Sequence, residues 1–442
     1  MYVKSLGGLS TNMGKIIEWD PENEEFWRVE GRRHANRNLS ISVIALILAF
    51  AIWQVWSVVA ANLNDIGFSF TQTQLFTLAA LPGLTGATLR IVYTLVAPSF
   101  GGRNWTVIST ASLLIPALGI GLAVQNPDTS YTTMAILAAL CGLGGGNFAS
   151  SMANISFFYP KKVKGTALGI NGGLGNLGVS LVQLLAPIVI TIGVFGTIVG
   201  SPQELANGTK VWMQNAAFIW LIPIIITVIA AFFGMNNLPN TDSSISEHII
   251  VLKNKHTWLM TNLYIVGFGS FIGFSATFPL LVKNEFLEVN VFHYAFLGPL
   301  VGALARPIGG WMADKFGGAI VTFWDTVVMI FAAIGALYFL EANYLWGFFG
   351  MFVILFATSG IASGSTFGMI PNIFPAKQAA SVLGFVSAIA AYGGFLIPKL
   401  FGWSINISGN ILLAMYILIA YYSINLFIIW YWYLRRSAIG KI

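Results

Sequence analysis

Two arginines, Arg90 and Arg306, stand deep inside apolar stretches of the chain, about seventeen and about fifteen residues from where each stretch begins. A guanidinium in hydrocarbon costs several kcal/mol, so each must face the protein interior and find a partner. The bland partner is a buried carboxylate. No Asp or Glu lies at comparable depth, however; Asp325 is the one acid inside an apolar stretch, and it sits within about two turns of an end. Two cations without protein counter-ions make an anion site. Arginine suits that task because its planar fork binds planar oxyanions through two parallel hydrogen bonds and stays charged throughout.

A second feature is glycine density. The stretch from Gly165 to Gly178 holds Gly172 and Gly175 together with Asn171 and Asn176, and Gly384 to Phe395 holds Gly393 and Ser387. Small residues let helix backbones approach closely and slide in a membrane, though many do no more than pack. Asn171, Asn176 and Ser387 are less bland, because a buried amide or hydroxyl needs a partner. The histidines (His34, His248, His256, His293) fall in loops or at segment ends, which leaves no titratable group at midplane depth. Cys141 is the single cysteine, so neither a disulfide framework nor a zinc site is expected, and no cofactor is implied.

The elements that must position these residues follow from composition. Of 442 residues, 56% are hydrophobic and 9% charged, against about a quarter charged in a soluble domain. Runs of about 20 apolar residues cross a bilayer as helices, since backbone groups cannot go unpaired in lipid. Twelve such segments are expected, at 38–60, 73–97, 105–124, 131–158, 165–195, 212–234, 257–282, 291–313, 319–340, 344–371, 378–403 and 409–434. The polar stretch to Arg37 lacks the apolar core of a signal peptide and reads as an arm, with an amphipathic helix around Glu24–Arg37. Loops on the arm's side carry Arg28, Arg32, Arg33, Arg37, Arg103, Lys161, Lys162, Lys164, Lys253, Lys255, Lys315, Lys377, Arg435, Arg436 and Lys441. The opposite side carries Lys210 and Lys283, with Lys399 near it. That asymmetry puts both termini in the cytoplasm, and it accounts for the net charge of +6 without invoking nucleic acid.

The chain also repeats. Arg90 and Phe100-Gly101-Gly102 recur as Arg306 and Phe316-Gly317-Gly318, and a second echo aligns Pro160 with Pro375, Leu168-Gly169 with Leu383-Gly384, and Gly178 with Gly393. Two six-helix halves, 38–234 and 257–434, joined by a linker at 235–256 and flanked by an arm (1–37) and a tail (435–442), follow from this. Such parallel halves with a site between them at the midplane are the major facilitator arrangement. Gly310-x-x-x-Asp314-Lys315-x-Gly317-Gly318 resembles that superfamily's signature loop. In the first half Pro98 stands where Asp314 stands in the second, so a helix-end acid that latches one state is missing there.

The two glycine-rich stretches, taken with Gly142–Pro160, Tyr264–Ser275, Trp19-Asp20-Pro21-Glu22 and Phe26-Trp27, resemble the nitrate/nitrite porter family (NarK type) of the major facilitator superfamily. The resemblance spans nearly the whole chain and departs around Phe374–Ala380, a loop shorter than in some members. It implies nitrate or nitrite held by Arg90 and Arg306, sandwiched by Phe148 and Phe268, with Tyr264 and Asn176 as donors and Ser387 contributed by the second signature.

An inner-membrane carrier, monomeric and surrounded by lipid, is therefore expected. Two facing cations repel when the site is empty, and a bound anion relieves that repulsion, which favours nitrate/nitrite exchange. Proton-coupled nitrate uptake, with Asp325 or the substrate carrying the proton, is the alternative; another small monovalent oxyanion is a further one. An intramembrane enzyme is disfavoured, since no zinc motif, phosphate-binding loop or buried acid pair is present.

Overall fold

The computed structural model describes residues 11–12, 15–16, 18–239, 250–286 and 292–435. Residues 240–249 of the expected linker, His248 among them, and Arg436 and Lys441 of the tail lie outside the described residues.

Among the described residues eleven helices are long and apolar enough to cross a membrane. In chain order they are α1 (Glu24–Asn62), α2 (Gln72–Leu95), α3 (Gly102–Ala123), α4 (Tyr131–Phe158), α5 (Lys161–Thr191), α6 (Asn215–Gly234), α7 (Lys255–Glu285), α9 (Gly318–Glu341), α10 (Leu345–Ile373), α11 (Ser381–Ser408) and α12 (Leu412–Leu434). The remaining expected segment is α8, a 20-residue helix at Leu297–Phe316. It carries Arg306, Asp314 and Lys315, and so is the least apolar of the set. The arm does not stop short of the membrane: helix runs unbroken from Glu24 into α1, started by Asn23, whose side chain accepts from the Glu25 and Phe26 amides. Two short hairpins were not foreseen, Gln203–Glu204 paired with Lys210–Val211, and Thr11–Asn12 with Lys15–Ile16.

The repeat is structural. Gly101 and Gly317, its matching glycines, both adopt positive φ (78° and 90°) and start α3 and α9. Only glycine takes that conformation without strain. Within the halves α2 packs on α4 and α8 packs on α10; between them α2 meets α11 and α5 meets α8. Each pairing thus has its counterpart at the repeat offset.

Glycines set the tightest of these approaches. A Cβ on Gly178 would lie 2.0 Å from the Ile47 carbonyl oxygen of α1, and one on Gly364 2.1 Å from the Arg306 carbonyl oxygen. The arm completes the basic end. Trp19 Nε1 donates to the Phe157 carbonyl at 3.1 Å, and the Glu22 carboxylate accepts the Lys161 amide at 3.0 Å, where a negative charge suits the positive end of α5.

We expect Gly178→Val to lower the melting temperature of the purified protein by several degrees, the consequence of about 1–3 kcal/mol of overpacking. Gly165→Ala, whose Cβ would meet open space, should leave it unchanged or raise it. Thermal unfolding in detergent, read by intrinsic fluorescence, distinguishes the two.

Candidate anion-binding site

Arg90 comes from α2 and Arg306 from α8, and both are buried, at 0% and 8% exposure. Among the described residues neither is paired with a carboxylate; the ion pair Asp65–Lys283 lies elsewhere. The buried-carboxylate alternative therefore has no support here. What surrounds the arginines instead is carbonyl, phenol and aromatic ring.

Arg90 donates from Nε to the Gly145 carbonyl and from Nη1 to the Ser387 carbonyl, both at 2.9 Å. Its guanidinium carbon lies 5.1 Å from the Trp53 ring centre, 4.7 Å from Phe148 and 4.9 Å from Phe268. Arg306 donates from Nη2 to the Tyr264 hydroxyl at 2.6 Å. Its guanidinium carbon is 5.6 Å from both Phe148 and Phe268 and 5.1 Å from Phe367. Because both cations border the same two rings, the guanidinium carbons stand within about 10 Å of each other, a separation at which unscreened like charges still repel. Cation–π contact offsets part of the burial cost, worth about 0.5–2 kcal/mol each.

One nitrogen on each arginine has no partner: Arg90 Nη2 and Arg306 Nη1 are buried without a hydrogen bond among the described residues. Unpaired buried donors are costly, more so when charged. A small anion accepting from both would remove that cost.

The rings are positioned by a local irregularity in α7. Ile265–Gly269 forms a π-helical turn, a feature frequent at functional sites. Around it Tyr264 and Phe268 stack at 5.5 Å with planes 11° apart, and Tyr264 stacks on Phe367 of α10 at 4.2 Å. Phe148 of α4 faces Phe268 across the two halves, 6.2 Å between centres and 26° between planes.

The other expected residues are placed as follows. Ser387 joins through its backbone carbonyl, while its hydroxyl donates to the Gly384 carbonyl. Asn176 is buried, its Oδ1 unpartnered, and no hydrogen bond among the described residues joins it to either arginine. Gly172 lies under the Phe148 ring (3.3 Å from a built Cβ), whereas Gly175 abuts Leu46 of its own half at 2.5 Å. Gly393 backs onto Gly269 of α7, and Gly384 has open space before it. Asp314 is exposed at the basic end of α8. Asp325 is buried in α9 with its Oδ2 unpartnered. Trp53, Gly145 and Phe367 were not singled out by the sequence. Gly145 lies inside the glycine run beginning at Gly142, while nothing distinguishes Trp53 or Phe367 from the other aromatic residues.

Known proteins agree with this architecture. The Major Facilitator Superfamily sequence profile matches residues 41–398. The nitrate/nitrite transporter NarU of Escherichia coli K12 is 46% identical over 96% of each chain, and the "Probable nitrate/nitrite antiporter NarK2" of Thermus thermophilus is 40% identical over 96% of this chain and 97% of its own. The chain belongs to the NarK-type nitrate/nitrite porter family of the major facilitator superfamily. Solved structures share the porter's fold at low identity. A bacterial homologue of the lysosomal transporter Spinster superposes with TM-score 0.67 at 17% identity (90% of this chain, 96% of that one). The xylose transporter XylE of E. coli gives 0.68 at 12% (92% and 99%). The expected twelve-helix, two-half architecture is thus met by the fold of the family.

For this porter we expect Arg90→Lys and Arg306→Lys each to weaken nitrate binding at least tenfold (about 1.4 kcal/mol) while the protein stays folded, because the ammonium keeps the charge and loses the fork. Tyr264→Phe, which removes only the phenol that orients Arg306, should cost less than Arg306→Lys. Calorimetric titration of purified variants with nitrate measures both.

Proposed function

We propose that this porter carries nitrate and nitrite across the bacterial cytoplasmic membrane by exchange, as a monomer with both termini inside and with no catalytic chemistry. The observation that carries the reading is the pair of buried guanidinium groups, one from each half, each with an unpaired nitrogen and both against Phe148 and Phe268. Nitrate and nitrite are planar, monovalent and small enough for such a slot, and relatives covering nearly the whole chain are named for them. Arg90, Arg306 and Tyr264 bind the anion, Phe148 and Phe268 bound its faces, and Asn176 and Ser387 complete the polar wall.

Alternating access is supported by the ties between the halves. Lys283 of α7 pairs with Asp65 just past α1 and donates to the Ala61 carbonyl at 2.7 Å. Lys399 of α11 donates to Thr77 of α2 at 3.0 Å, and Gln183 of α5 to the Ser275 carbonyl at 2.7 Å. All three lie outward of the arginines. Toward the basic end, Gly165 and Gly169 of α5 and Gly384 of α11 face open space. The porter is closed outside and loosened inside. The Asp65–Lys283 pair is partly exposed, at 42% and 34%, so it contributes about 0–1 kcal/mol. A latch opened in every cycle must be this weak.

Nitrate-loaded proteoliposomes should release label when nitrate or nitrite is outside, and a pH gradient without an outside anion should do little. Net accumulation driven by protons alone, lost in Asp325→Asn, would replace exchange with symport.

The latch gives a separate expectation. Asp65→Asn with Lys283→Gln should favour the outward-open state. Since Cys141 is buried, a single Thr77→Cys should react several-fold faster with an impermeant maleimide in that background.

A further inference from the structure

Away from the anion site, the basic ends of α7 and α12 part to leave a membrane-facing cleft of about 370 Å³. Lys255, Trp258, Leu259 and Asn262 line it from α7, at the spacing of one helix face. Tyr421, Ile424, Asn425, Ile428 and Trp432 line it from α12. No acid is among them.

The wall is graded along the membrane normal. At the mouth the Lys255 ammonium stands 4.6 Å over the Trp432 ring. Leu259, Ile424 and Ile428 make the apolar floor. About two turns deeper the wall becomes polar again. There Asn262 donates to the Asn425 side chain and accepts from the Tyr421 hydroxyl, while Asn425 donates to the Tyr421 carbonyl. Asn262 has two amide hydrogens and one partner for them, which leaves a donor for a ligand in the half-buried cleft.

We propose that this cleft binds one anionic phospholipid of the leaflet at the basic end, its phosphate on Lys255 and an acyl chain along Leu259, Ile424 and Ile428. An ester carbonyl accepts from Asn262. Charge complementarity selects the occupant: cations at a membrane surface between two helices hold anionic headgroups, and an amide facing hydrocarbon needs an acceptor that a chain's ester supplies. Zwitterionic lipid fits the floor but meets Lys255 with its own cation close by.

The test is native mass spectrometry of the delipidated full-length porter given equal amounts of phosphatidylglycerol and phosphatidylcholine. Wild type should retain phosphatidylglycerol at least fivefold over phosphatidylcholine. Lys255→Gln with Trp432→Ala should abolish that preference, while Lys210→Gln, an exposed cation at the opposite end, should not. Ile424→Trp, which fills the floor and keeps every charge, should lower retention of both lipids and serves if the double variant misfolds; unchanged melting and nitrate binding certify each fold. Equal retention of the two lipids by wild type overturns the proposal, as does an undiminished preference in a folded Lys255→Gln/Trp432→Ala or undiminished retention in a folded Ile424→Trp. So does glycerol 3-phosphate competing as strongly as the lipid, which would make the mouth a simple anion site.

Discussion

Two positive charges that share one buried aromatic slot are the constraint from which the rest follows. At about 10 Å and an effective dielectric near 20, two unit charges repel by about 1–2 kcal/mol. That is affordable in the empty protein only because each cation is otherwise cared for. Arg90 has two backbone carbonyls and three ring faces; Arg306 has one phenol and its rings. Arg90 is accordingly the fixed pole. Arg306, held by a single hydrogen bond, is the side chain freer to adjust to an anion. The π-helical turn in α7 belongs to the same economy, since it sets Tyr264 and Phe268 parallel against Arg306 and opposite Phe148.

The same constraint ties binding to movement. Arg90 belongs to the first half, yet its Nη1 donates to Ser387 of the second. Phe148 and Phe268 likewise come one from each half and meet face to face. Anything that strengthens the hold on Arg90 therefore acts directly on the seam along which the halves rock. The outer latch, by contrast, is a half-exposed ion pair, weak by the same dielectric argument that makes the buried cations strong. On the proposed reading strong terms sit at the anion site and weak ones at the outer latch, which would let occupancy decide the conformation.

How much of this was legible follows residue by residue. Arg90 and Arg306 were visible because a charge in an apolar run is costly, and the repeat confirmed them as a pair. The paired Gly101 and Gly317 were visible as a motif, and their positive φ gives the reason. Phe148, Phe268 and Tyr264 needed the family resemblance, since aromatic residues make up 14% of the chain and periodicity marks none of them. The acceptors at Gly145 and Ser387 were hidden for a different reason: a backbone carbonyl leaves no mark of residue type, so Ser387 looked like a hydroxyl and acts through its main chain. Glycine direction was equally hidden. Gly172 and Gly175 are three residues apart, yet one lies under the Phe148 ring and the other against Leu46. The arm's continuity with α1 was missed because its charged residues end the hydropathy run without ending the helix.

Placement also bears on coupling. Asp325 lies on α9, which packs against α8, α10 and α12 of its own half. Its neighbour one turn back, Thr322, is hydrogen-bonded to Ser365 of α10 at 2.7 Å, and two residues further along α10 stands Phe367 against Arg306. A proton on Asp325 would reach an anion between the arginines through packing within the second half, by way of α10 or of α8 itself. An anion between Arg90 and Arg306 acts on both halves at once and through whole charges. Coupling free energy follows differential contact between states, and on the proposed reading the direct contacts would be the anion's. That asymmetry is the physical case for a carrier that returns loaded.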